Sequence, residues 1–377
     1  MLPSPDTRLQ AAQAWLRQFP QVDSATLAPA SSDASFRRYF RAACQPDASW
    51  AHGQTSGPTV ILMDAPPDKE PLDAFLKTAD LFEAAGAHVP QRLALDQAQG
   101  FLLLSDLGQT PYLAALQSGD PSGGGAHPTP ANQTTEATAA ALYREAWQAM
   151  VRWQAWSLAQ GPDSLGLPHY SAEKLMAEMQ LFEDWYVGRH MGSSLTYDER
   201  HQLNKLMQWL TQSALAQPQV MVHRDYHSRN LMLTQEHNPG IIDFQDAVIG
   251  PISYDLVSLL RDAYIHWDEA QQLDWTIRYW QDARSAGLPI ADDFADFWRD
   301  FELMGLQRHL KVLGIFARLF HRDGKENYLK DLPLVLQYTR SVANRYIGCG
   351  SLLRLLDRLE NRAVQTGYTF QSQPSRI

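Results

Sequence analysis

A chain of 377 residues, 45% of them apolar and with a formal charge of −10, can bury a sizeable core and is long enough for about two domains. The acidic balance speaks against nucleic acid as the main partner, because phosphate-backbone binders present a basic surface. It leaves room for a nucleotide, whose site needs only local positive charge.

The two cysteines, Cys44 and Cys349, make no disulfide framework, so a reducing, cytoplasmic setting is expected. The start, Met1-Leu2-Pro3-Ser4-Pro5-Asp6, lacks a basic stretch followed by an apolar run, so no secretory signal is expected. Apolar runs such as 101–104 are far too short to span a bilayer, and neither a membrane nor a protein partner is implied.

Apolar spacing at Leu9, Ala12, Trp15, Leu16 and Phe19 predicts an amphipathic helix over 7–19. Strands are predicted at 25–30 and 36–42, around Ser31 to Ser35, and at 59–63. A helix over 72–85 ends at Gly86. Strands at 89–95 and 101–104 then run into Ser105-Asp106-Leu107-Gly108, which breaks the pattern. That break is read as a hinge, 105–108, between a small β-rich lobe, 1–104, and a larger helical lobe, 109–377. Residues 118–135 are rich in Gly, Ser, Pro and Thr and are expected to be a flexible insertion. Helices are predicted at 137–159, 171–190, 197–216, 255–265, 268–285, 293–321, 331–346 and 350–361. Ser171 is read as the N-cap of the second of these. The fold class is α+β.

The most informative stretch is His223-Arg224-Asp225-Tyr226-His227-Ser228-Arg229-Asn230, followed by Ile241-Ile242-Asp243-Phe244. Short apolar strands are predicted around it at 220–222, 231–233 and 240–242. The spacing is that of a kinase catalytic loop. Asp225 stands where a group must accept or orient a hydroxyl proton. Asn230 and Asp243 stand where Mg²⁺ is held against a triphosphate, and a neutral Asn can ligate metal without repelling phosphate. The plainer reading makes them turn-forming residues between strands. His223, with Asp225 and His227, can also be read as a transition-metal site. Otherwise His223 is a scaffold residue, and His227 stands behind the reacting groups or touches substrate. Asp255, in Ser253-Tyr254-Asp255-Leu256, is either an ordinary acid at a helix start or a buried acceptor for loop amides.

His223 to Asn230 with Ile242-Asp243-Phe244 and Tyr254-Asp255-Leu256 resembles the aminoglycoside phosphotransferase and choline kinase group of small-molecule kinases. Narrower strings, Asp33-Ala34-Ser35-Phe36-Arg37-Arg38-Tyr39-Phe40-Arg41, Met63-Asp64-Ala65-Pro66-Pro67 and Gln307-Arg308-His309-Leu310-Lys311, are similar to its amino-sugar 1-kinases over roughly 8–345. The resemblance implies a two-lobed protein-kinase-like fold, ATP and Mg²⁺ as cofactors, and an amino sugar as acceptor. It favours the buried-acceptor reading of Asp255.

A kinase carries a lysine near the end of the third strand, gripping the α- and β-phosphates. Here Val60-Ile61-Leu62-Met63 puts Met63 in that place. Arg37 or Arg38 is the expected substitute, one but not both, since successive strand residues face opposite ways; alternatively both are solvated edge charges. The loop ending at Ser35 is expected over the triphosphate, and the hinge at 104–108, with Asp106, beside adenine. Trp185 is read either as core or as a platform for a sugar face. Arg308 and Lys311, in a basic surplus over 304–330, suit a substrate carboxylate. The competing readings are an aminoglycoside, choline or homoserine kinase, and a kinase-like binding module without activity.

Overall fold

Alternating residues along five strands build an antiparallel sheet with two unlike faces. The computed structural model describes residues 6–32, 36–45, 59–117 and 133–362. The sheet consists of β1 (Val22–Ser32), β2 (Arg38–Cys44), β3 (Thr59–Asp64), β4 (Arg92–Asp96) and β5 (Phe101–Ser105), in the order β1-β2-β3-β5-β4. Phe40 and Ala42 of β2, Val60 and Leu62 of β3, and Phe101 and Leu103 of β5 share one face. They pack against Ala12, Trp15 and Leu16 of helix α1 (Thr7–Leu16) in one apolar core. The opposite face carries Tyr39, Arg41, Ile61 and Leu104, which line a cavity. Helix α2 (Asp73–Ala84) reaches Phe244 with Phe75 and Phe82, at ring centroid separations of 5.0 Å and 5.9 Å.

A largely helical region follows, as the α+β class requires. It holds α3 (Tyr112–Gln117), α4 (Gln133–Gln160), α5 (Ala172–Leu181), α6 (Tyr197–Ala216), α7 (Tyr254–Leu260), α8 (Glu269–Ser285), α9 (Phe294–Asp323), α10 (Leu332–Arg345) and α11 (Gly350–Leu359). Between helices, β6 (Gln219–Val222) pairs with β9 (Val248–Pro251), and β7 (Leu231–Met232) with β8 (Gly240–Ile241). The short α3 and the strand β9 were not expected from the sequence. β9 is a four-residue Val-Ile-Gly-Pro run whose pairing with β6 is set by distant residues. Gly250 there lies so close to Tyr170 that an added Cβ would stand 3.3 Å from its ring.

The expected helix 171–190 is α-helical only to Leu181 and continues as a π-helix over Phe182–His190. Its first residue is capped by the Ser171 side chain, which accepts the amide of Lys174. Helix α4 begins at Gln133, so the last three residues of the expected insertion, 133–135, are helical; 118–132 lie outside the described residues.

The chain forms two compact units, Met1–Tyr170 with Gln217–Trp298, and Ser171–Ala216 with Arg299–Ile377. The sheet and the segment after it are tied to the loops beyond: Leu113 donates its amide to Ser228, Leu233 to Thr110, and Ile241 to His88. In the second unit Gly314 lets α9 run against the Leu181 backbone, where a Cβ would come within 2.3 Å. Arg340 of α10 is held by Asp357 and Glu360, each at 2.8 Å. Among the described residues no helix is long and apolar enough to cross a membrane.

Candidate active site

Strand β6 delivers the chain into loop 223–230, and two buried carboxylates fix that loop from behind. Asp255 of α7 is fully buried and accepts the amides of His223 at 2.7 Å and Arg224 at 2.9 Å. Arg224 sits at φ 77°, a conformation costly for a non-glycine residue, and the two bonds help hold it there. Asp262, just beyond α7, accepts from Ser228 Oγ at 2.5 Å and from the Ser228 amide at 3.2 Å. Its other oxygen takes the amides of Tyr264 and Ile265, both at 2.8 Å. Burial pushes the Asp262 carboxyl up, and these donors act in the opposite sense. The sequence reading passed over Asp262, because nothing in Arg261-Asp262-Ala263 signals which loop it supports.

His223 is completely buried. Its Nδ1 accepts the Asp225 amide at 3.3 Å and its Nε2 lies 3.0 Å from the Ile242 carbonyl, which assigns the proton to Nε2. Both ring nitrogens are therefore used in joining the loop to the segment that carries Asp243. Burial lowers its pKa to about 4, so the ring is neutral at pH 7. Among the described residues no group of three or more His, Cys, Asp or Glu is gathered to hold a metal. Asp225, Asn230 and Asp243 are brought together by the Asn230 amide. Its Nδ2 donates to the Asp225 carbonyl at 3.0 Å and to Asp243 Oδ2 at 3.1 Å. Gln245 Nε2 donates to Asp243 Oδ1 at 2.7 Å, and Asp243 adopts φ 65°.

Asn230 and Asp243 border a cavity of about 390 Å³, within the usual size of a small-ligand site. Its lining includes Asn230, Asp243 and Arg229, and also Ser105 to Gly108. Asp106 lies in that lining, but its carboxylate is engaged by protein. Arg41 Nε reaches one oxygen at 2.5 Å and its guanidinium the other at 3.1 Å, while Thr59 Oγ1 and the Gly108 amide donate at 2.7 Å and 2.9 Å. Asp106 thus braces the segment against β2, and Arg41, an unforeseen lining residue, is its partner.

The alternation of β2 separates the two arginines expected near phosphate. Tyr39 and Arg41 line the cavity, so Arg38 falls on the α1 face with Phe40. There Arg38 is held by the buried Asp64, at 2.6 Å, and by Asp6. Arg38 is thus placed off the face that lines the cavity. Arg37, mostly covered, stands 3.7 Å from Glu70. Met63 is fully buried on β3. Ser35 lies outside the described residues. The His227 ring packs against Tyr264, with centroids 5.2 Å apart. Trp185, Arg308 and Lys311 belong to the second unit: Trp185 is half-buried in the π-helix, and both cations are buried on α9, with Lys311 3.3 Å from Glu178.

Residues 26–294 match the model of a phosphotransferase enzyme family described by the name APH. The chain is 43% identical over 358 residues to an N-acetylmuramate/N-acetylglucosamine kinase of Neisseria meningitidis, covering 94% of this chain and 97% of that one. It is 42% identical to a kinase of the same name from Pseudomonas aeruginosa, over 96% of this chain and 99% of that one. Among solved structures, choline kinase LicA from Streptococcus pneumoniae matches with a TM-score of 0.55 at 9% identity, over 88% of this chain and 98% of that one, a likeness of fold. With a family model spanning well over half its length and two relatives above 40% identity across nearly all of it, this chain belongs to the APH phosphotransferase family, whose kinases use ATP.

Proposed function

We propose that this protein transfers the terminal phosphoryl group of ATP to the anomeric hydroxyl of N-acetylmuramate and N-acetylglucosamine. The observation that carries the reading is the linked set Asp225, Asn230 and Asp243 in a chain 43% identical to a kinase of that name. In the step, the sugar O1–P bond forms, the bond from phosphorus to the β-γ bridging oxygen breaks, and the hydroxyl proton passes to the Asp225 carboxylate. A hemiacetal hydroxyl is more acidic than an ordinary alcohol, so it asks less of the group that accepts its proton. The base lies against 104–108 and Arg37 reaches the phosphates. Asn230 and Asp243 offer hard oxygens on adjoining segments, which fits Mg²⁺, an ion that takes few protein ligands beside phosphate oxygens and water. Bound there, Mg²⁺ would neutralise phosphate charge. The 1-phosphate product suits the recovery of cell-wall amino sugars.

The test is incubation with Mg²⁺-ATP and a panel of amino sugars, with the product identified by phosphorus NMR. The expected product is the sugar 1-phosphate. A 6-phosphate, or faster turnover of a kanamycin-like amine, overturns the acceptor assignment. Nucleotide binding without turnover of any acceptor supports the inactive binding module.

A further inference from the structure

We infer that Arg41 is a specificity-determining residue: by closing on Asp106 it denies guanine a partner in the cavity and so selects adenine. The inference rests on the reading above that the nucleotide base lies against 104–108, and it names what chooses that base. Arg41 of β2 stands opposite Ile61 of β3, and Ile61 opposite Leu104 of β5. All three line the cavity, as does Asp106. One row across the sheet thus brings two apolar side chains and a cation to the segment that carries the carboxylate.

Asp106 meets donors on both oxygens. Oδ2 takes Arg41 Nε at 2.5 Å and Thr59 Oγ1 at 2.7 Å. Oδ1 takes Arg41 Nη2 at 3.1 Å and the Gly108 amide at 2.9 Å. Since a carboxylate has about four acceptor positions, Asp106 is filled. Arg41 Nη2 also donates to the Gly108 carbonyl at 2.9 Å, which fixes the guanidinium to the same segment. The other carboxylate in the lining, Asp243, accepts from Asn230 and Gln245. Guanine carries two adjacent donors, N1–H and the N2 amine, and a carboxylate can accept both side by side. Adenine offers a lone pair at N1, which a carboxylate repels. Asp106 without Arg41 would therefore favour guanine. With Arg41 in place it has nothing to offer, and guanine would bury two donors unpaired.

The experiment measures affinity for the Mg²⁺ complexes of ATP, GTP and inosine triphosphate by calorimetry. It is run at pH 8, well above the carboxylate range, on wild type, Arg41→Met and the double variant Arg41→Met/Asp106→Leu. Inosine triphosphate has the N1–H of guanine without the N2 amine. Wild type should bind ATP about tenfold or more tighter than GTP, and GTP no tighter than inosine triphosphate. Arg41→Met should move the ATP-to-GTP ratio about tenfold towards GTP and make GTP the tighter of the two oxopurines. The double variant should reverse both changes. Equal affinity of wild type for ATP and GTP overturns the inference, as does an unchanged ratio in Arg41→Met. A shift that survives loss of Asp106 also overturns it, because added room and not the carboxylate would be the cause. If Arg41→Met does not fold, Arg41→Lys decides. An ammonium keeps the charge but not the two-point closure, so the ratio should move the same way by less, and an unchanged ratio there overturns the inference. Each of these failures leaves the kinase reading intact, whereas a wild-type protein that binds no nucleotide removes both together.

Discussion

The Asn230 side-chain nitrogen donates to Asp243 Oδ2 at 3.1 Å, joining the end of one loop to a residue thirteen positions on. The same nitrogen bonds the Asp225 backbone, so one neutral amide sets the spacing of the three groups to which the proposed transfer assigns its chemistry. With that nitrogen spent on structure, the proposed Mg²⁺ contact falls to the Asn230 oxygen.

Asp225→Asn keeps the size of the side chain and removes its basicity. kcat should fall by about a hundredfold or more, with KM for ATP changed by less than about threefold, since the lost interaction belongs to the transition state. Steady-state kinetics with both substrates varied checks this. Full activity would remove Asp225 from the reaction.

Asp243→Ala and Asn230→Ala should each raise the Mg²⁺ concentration needed for half-maximal activity. Asp243→Ala is the worse, because it loses a charged ligand as well as the partner of Asn230 and Gln245. Excess Mg²⁺ should rescue part of the Asn230→Ala loss. A Mg²⁺ titration with unchanged midpoint and turnover in Asp243→Ala would sink the metal assignment.

Arg37, just before β2, and Arg38, its first residue, should separate cleanly. Arg37→Ala is expected to raise KM for ATP several-fold and slow turnover. Arg38→Ala should instead cost about 1 kcal/mol of stability, because the fully buried Asp64 keeps Arg8 but loses its second guanidinium. Denaturant melts and ATP kinetics on both variants read the difference. The opposite pattern would mean that Arg38 leaves Asp64 to meet the phosphates.

His223 makes stability depend on pH. Its folded pKa, about 4, lies below its ordinary value of 6.5, so the unfolded chain binds the proton more readily. As pH falls from about 6.5 towards 4, the folded state loses up to about 1.4 kcal/mol per unit from this one group. His223→Gln should flatten that part of the curve, whatever it does to overall stability. An unchanged slope between those limits would show that the ring is already protonated in the fold.

The strands, most helices and the spacing of Asp225, Asn230 and Asp243 could be read from the chain alone. They depend on local periodicity and on residues within about twenty positions of one another. The strand order, the separation of Arg38 from the cavity face and the shift from α- to π-helix at Phe182 could not. Each depends on what packs across a sheet or beside a helix. The same holds for the groups that support the site. Asp262 with Ser228, Arg41 with Asp106, and Arg229 with Tyr264 lie 34, 65 and about 35 positions apart. A buried carboxylate has the same letter as a solvated one until the fold removes its water and leaves it a particular donor. The sequence by itself determined which groups could perform the chemistry. Only tertiary structure decided which carboxylates and cations are already spent on one another, because that depends on burial and on contacts between distant residues.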